Sequence, residues 1–205
     1  MKRIALALSV LGLVLASTPA AVATSPHTVD PDLMTPALNP GFAPYTCVRA
    51  GTGITCTGEE DQSYANEPIG LQCDGHDVYV TGVQRVRIVR WHDLEGRALK
   101  TSLQTNFPAD HLTLSPTGEG PAVVLAGDWH KHYVYPVPGD LGSRVLTETG
   151  AMLRLRAPGG GLLFQDTGLV TYVPGEEYES PSEMHGVHDR FPGLDLDALI
   201  CQGLT

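Results

Sequence analysis

Basic side chains are scarce in this 205-residue chain: 13 Lys and Arg stand against 23 Asp and Glu, for a formal charge of −10. A phosphate backbone would be repelled, so a nucleic-acid partner is excluded as the working reading. An electrostatic dock on anionic lipid is disfavoured for the same reason. Long apolar runs are also missing beyond the first two dozen residues, and nothing there reaches the length of a transmembrane helix. Several catalytic signatures are absent. There is no C-x-x-C pair and no H-E-x-x-H. No G-x-S-x-G occurs, since "LGSRV" lacks the second glycine, and the glycine-rich "APGGG" is not followed by the lysine of a phosphate loop.

At the N-terminus, Lys2 and Arg3 precede the apolar "IALALSVLGLVLA", and "AVA" at 21–23 is a small-x-small cleavage site. Residues 1–23 therefore read as an export signal cleaved after Ala23. No cysteine follows closely, so no lipid anchor is expected. Loss of Lys2 and Arg3 leaves 11 basic residues against 23 acidic ones, a formal charge of −12 that serves solubility. The remainder, about 180 residues, fits one domain with a real core.

Four cysteines, Cys47, Cys56, Cys73 and Cys201, suggest two disulfides in an exported chain, with three possible pairings. "YTCVRAGTGITCTG" reads as a hairpin with its tip at 51–53, which places Cys47 across from Cys56. Cys73 is then left for Cys201, a bridge worth about 4–5 kcal/mol by chain entropy. Residues 24–44 carry Pro26, Pro31, Pro36, Pro40 and Pro44 and read as a disordered tail or linker.

Residues 45–205 read as a β domain. Turn chemistry recurs in "AGTG", "DGHD", "DLEG", "PTGEG", "PGD", "APGGG", "DTG" and "VPGEE". Between these lie alternating runs such as "ALKTSLQTNF", "HLTLS", "AVVLA", "HYVYPV", "RVLTET", "AMLRLRA", "LLFQD" and "LVTYV". "VYVTGVQRVRIVRW" is a longer strand with Gly82 at a bend or bulge. Many short strands between tight turns predict a mainly β fold, a single antiparallel sandwich or barrel. The one fair helix is the terminal "LDLDALICQGL", with Asp195 at its start and Leu196, Leu199 and Ile200 facing the body.

"IGLQCDGHDVYVTG", "RWHDLEGRALKT", "LSPTGEGPAVVLAGDWHKHYVYPVPGD", "TETG", "DTGLVTYVPG" and the final "LICQGLT" resemble a group of secreted actinobacterial proteins of unknown function. The resemblance spans roughly residues 70 to 205 and concerns layout and turn motifs. It implies an export signal, a β-rich body and a cysteine-bearing short helix at the end. It implies no activity and no catalytic residue.

Two constellations carry candidate chemistry. In "GDWHKHYVY", strand alternation sets Asp128, His130 and His132 on one side and Trp129, Tyr133 and Tyr135 on the other, with Leu125 and Val137 continuing the apolar row. The polar row has the spacing of a strand-borne divalent-metal site. A cupin site would add a glutamate shortly after, and "YVYPVPGD" has none. In "PSEMHGVHDRF", Glu183, His185, His188 and Asp189 fall within seven positions. Pro181, Gly186 and Pro192 oppose a regular helix, so a loop pinned by local hydrogen bonds is expected. His185 and His188 are the candidates to complete a metal site begun by Asp128, His130 and His132. Glu176, Glu177 and Glu179 form a solvated acidic loop, and Arg85, Arg87 and Arg90 are expected to pair with the abundant acids.

Two functions compete. One is a secreted, non-catalytic β module binding a small ligand, a polymer or a protein, without cofactor. The other is a metal-dependent enzyme built on the His-x-His strand.

Overall fold

The computed structural model describes residues 26–191 and 193–205. The export signal and its cleavage site lie outside the described residues. The fold is mainly β, with one short helix. Its strands are β1 (His27–Thr28), β2 (Thr46–Ala50), β3 (Gly53–Cys73), β4 (His76–His92), β5 (Ala98–Thr113), β6 (Val123–Val134), β7 (Val145–Arg156), β8 (Leu162–Tyr172) and β9 (Pro181–His188). Helix α1 (Leu196–Leu204) follows. Each strand pairs antiparallel with its neighbours in the chain, giving one nine-stranded meander with β1 and β9 as its two edges. The expected antiparallel β class holds. The sheet is one continuous, unclosed sheet.

The strands are longer and fewer than the turn motifs predict. "AVVLA" and "HYVYPV" belong to one strand, as do "RVLTET" with "AMLRLRA" and "LLFQD" with "LVTYV". The glycines between them sit at bulges or in mid-strand. The β6–β7 register shifts between Ala126 and Asp128, where a Cβ on Gly127 would press on Phe107 and the Met152 carbonyl. "DTG" is likewise no turn. Gly168 lies inside β8, pairs with Gly150 on β7 and Gly186 on β9, and all three have φ between 111° and 138°. A side chain on Gly168 would overlap the His185 carbonyl. Gly82 does mark an irregularity, since the β4–β5 register shifts between Thr81 and Arg85.

Alternation along the strands divides the sheet into an inner, buried face and an outer, polar one. Val86, Ile88, Thr105, Phe107, Leu112, Leu146, Leu155, Phe164 and Val170 are buried. Full burial of a side chain such as Leu146 or Leu155 contributes about 2 kcal/mol. Chain segments from both ends cover the inner face. At one end α1 sets Ile200 and Leu204 against Val78, Leu112, Val123, Leu155 and Phe164. Asp195 caps this helix, accepting a hydrogen bond from the Ala198 N–H. The Cys73–Cys201 disulfide ties it to the end of β3, and Cys47–Cys56 joins facing residues of the β2–β3 hairpin.

The proline-rich stretch covers the other end, where a disordered tail was expected. β1 pairs with β2, and Met34 and Phe42 are buried. Prolines exclude a helix interior and a central strand, but they suit the first position of short 3₁₀ turns. Pro31–Leu33 and Pro40–Phe42 are such turns, capped by Asp30 and Asn39. Of the three arginines, Arg85 pairs with Asp61 at 2.9 Å and Arg87 with Glu59 at 3.1 Å on the exposed face. Arg90 is buried and donates to the Pro36 carbonyl at 2.9 Å, which fastens the N-terminal stretch.

Candidate ligand pocket on the inner face

Trp129, Lys131 and Tyr133 project from the inner side of β6. Register places Lys131 beside Glu148 of β7, and Glu148 beside Val170 of β8. One bulge further along, Asp166 of β8 faces His188 of β9. Arg190, just past β9, reaches back over the same patch. Glu148 and Asp166 are each 2 % exposed. Such carboxylates cost several kcal/mol to bury unless paired and hydrogen-bonded.

They are paired. The Glu148 carboxylate lies 3.5 Å from the Lys131 ammonium and 3.3 Å from the Arg190 guanidinium, and accepts from the Tyr172 hydroxyl at 2.8 Å. Arg190 also donates to the Tyr172 oxygen at 2.9 Å, and its Nε lies 2.9 Å from Asp166 Oδ2. His188 Nδ1 stands 2.6 Å from Asp166 Oδ1, and its Nε2 is 3.0 Å from the His185 carbonyl. Burial, followed by the hydrogen bond to Glu148, raises the Tyr172 pKa above its ordinary value of 10, so the phenol keeps its proton and donates. Lys131 donates to Tyr178 at 2.9 Å. Tyr178 comes from the loop after β8 and leans on Tyr172, with a left-handed backbone at φ 71°.

Above this network lies a cavity of about 310 Å³. Trp129, Met152, Leu153, Phe164, Leu194 and Leu196 supply its apolar wall, and Lys131, Glu148, Asp166, Tyr178 and Arg190 complete the lining. A larger groove of about 430 Å³ opens on the outer face around Asp61, Gln84, Arg85 and Asn106. Its ion pair is more than half exposed, so it offers no comparable desolvated chemistry.

The proposed metal ligands are spread over both faces. His130 and His132 stack on the outer side of β6, ring centroids 5.9 Å apart, near the exposed Asp128. Burial and the His130 charge lower the His132 pKa. "PSEMHGVH" is edge strand β9 in place of a loop. His185 points outward against Glu183 at 3.0 Å, while His188 turns inward to Asp166. Among the described residues no group of three His, Cys, Asp or Glu is placed to hold a metal ion. The Asp189 carboxylate accepts from the Gln165 N–H at 2.8 Å, and Glu177 pairs with Arg144. Both nitrogens of His188 are engaged, so it activates no nucleophile in this geometry.

Motif and spacing do not single out Lys131, Glu148, Asp166, Tyr172 or Arg190. A signal existed for three of them. Lys131 sits in the Trp129–Tyr133 row, Glu148 follows Leu146 at alternate spacing, and Asp166 follows Phe164 in the same way. A lone charge in an inward row requires a partner across the sheet. No family model, no curated protein and no solved structure matches the chain.

Proposed function

We propose that the chain is an exported, non-catalytic binding module whose ligand site is the inner-face cavity. One observation carries this reading: each buried carboxylate lies against a group of opposite charge, while the wall beside them stays apolar. A catalytic site would leave a base, acid or nucleophile free to reach a substrate. Here each carboxylate oxygen has a cationic or hydroxyl neighbour. A concave, largely apolar pocket with a few convergent polar groups is the usual form of a small-ligand site. Export is supported by the two disulfides, which suit an oxidising compartment. Among the described residues no helix is long and apolar enough to cross a membrane.

The uncharged fluorophore N-phenyl-1-naphthylamine tests the site. It should bind one per chain with enhanced emission, and Leu194→Trp, which fills the cavity mouth from a half-exposed position, should abolish the signal. Absence of binding, or binding indifferent to Leu194→Trp, would refute the assignment.

A further inference from the structure

Not every donor of the network beside the cavity is used. Both nitrogens of His188 face acceptors: Asp166 Oδ1 at 2.6 Å and the His185 carbonyl at 3.0 Å. Its side chain is 5 % exposed, so His188 is fully engaged within the network. Two cations, Lys131 and Arg190, meet two carboxylates, Glu148 and Asp166. The hydroxyls of Tyr172 and Tyr178 add no charge. Asp189 is absent from the cavity lining and is engaged by the Gln165 N–H.

The unused donor is accessible. Arg190 is occupied by Glu148, Asp166 and Tyr172. Lys131 is held by Tyr178 at 2.9 Å and only loosely by Glu148 at 3.5 Å, and its side chain is 20 % exposed. An ammonium has three donors, so one remains. Trp129 lines the same wall, its ring centre 5.7 Å from the Lys131 ammonium. An ammonium donor left unmet beside an apolar wall costs free energy that a ligand oxygen would recover.

We propose that the cavity takes one small monoanionic amphiphile, a medium-chain or aryl carboxylate. The carboxylate sits on the Lys131 ammonium, and the apolar body lies against Met152, Phe164, Leu194 and Leu196. This rests on the cavity being a ligand site at all. Its volume, at the small end of ligand pockets, suits one short chain or ring. A cationic amphiphile would be repelled by the Lys131 ammonium, and a neutral one would forgo the stronger, charge-assisted hydrogen bond.

The test is displacement of N-phenyl-1-naphthylamine at pH 7 by decanoate, decanol and decyltrimethylammonium. Decanoate should compete at least tenfold more tightly than decanol, with the ammonium weakest. Lys131→Met should weaken decanoate by about tenfold to a hundredfold, the range for a hydrogen bond to a charged group, and leave decanol unchanged. Lys131→Arg should retain the preference for decanoate. Because Lys131→Met removes a partner of Glu148, the double variant Lys131→Met/Glu148→Gln is measured beside it and should show the same loss. Equal binding of decanoate and decanol, or a decanoate affinity unmoved in both Lys131→Met backgrounds, would overturn the proposal while leaving the cavity a ligand site. Failure of the fluorophore itself to bind would remove both.

Discussion

His92 gives the sharpest test of how the core treats charge. It ends β4 between Ile54 of β3 and Ala98 of β5, and is 1 % exposed. Neither ring nitrogen makes a hydrogen bond of good geometry. Burial first, and then the Arg90 charge, push its pKa from 6.5 down to about 4, with the Ile54 backbone and Asp93 offsetting part of the shift. The fold thus requires the neutral ring. Above the unfolded value the group has no effect. As the pH falls from 6.5 towards 4, the unfolded chain takes up the proton more readily than the folded one, and stability drops. The whole span amounts to about 3 kcal/mol, of which roughly 2 kcal/mol is reached by pH 5. For a chain of this size that is a fall in Tm of about 4–8 °C.

Urea denaturation of wild type and His92→Leu, from pH 8 to pH 4, measures the effect. Other groups titrate in the same window. His132 moves in the same direction, whereas Asp110, whose pKa is raised by burial, favours the folded state as the pH falls. Both remain in the variant, so the difference between the two curves isolates His92. That difference should be small at pH 8 and grow to about 2 kcal/mol in favour of His92→Leu at pH 5. Parallel curves through the window would refute the assignment of a buried neutral imidazole.

Arg190→Met strips both Glu148 and Asp166 of a partner, and should lower unfolding free energy by about 3–5 kcal/mol in urea. It should also speed hydrogen exchange in residues 193–205. Replacing Cys73 and Cys201 by Ser opens a span of 128 residues, against nine for Cys47 and Cys56. Chain entropy predicts losses of about 5 and about 3 kcal/mol respectively, and equilibrium unfolding of the two double variants should rank them in that order. Gly168→Ala sets a Cβ into the His185 carbonyl at φ 138° and should cost upwards of about 2 kcal/mol. Gly159→Ala, with open space around it, should stay within about 0.5 kcal/mol, and the two melting curves compare them directly.

The sequence by itself determined whatever depends on near neighbours. Alternation marked Leu99, Thr101, Leu103, Thr105 and Phe107 as one face of β5, because side chains of a strand alternate; the last four hold to it, but Leu99 is exposed where the β4–β5 register shifts between Lys100 and Ala98. The short glycine-tipped turn set Cys47 opposite Cys56, and elimination then left Cys73 for Cys201. Asp195 announced the start of α1 because a cap acts within three residues. Tertiary structure decided what depends on the neighbouring strand. A glycine at positive φ serves a turn and a mid-strand irregularity equally well. Whether "DTG" reverses the chain or lies within β8 is therefore settled by Gly150 and Gly186 on either side. Prolines bar regular structure without saying whether the segment floats or packs, and it was the Arg90 side chain and the pockets for Met34 and Phe42 that held residues 26–44 down. His188 shows the same limit. Its sequence neighbours offered Glu183 and Asp189, but strand pairing gave it Asp166, 22 positions away. Arg190 then gathered Glu148 and Asp166 from two strands. A buried charge needs its partner within a few ångströms, and only the sheet register decides which residue that is.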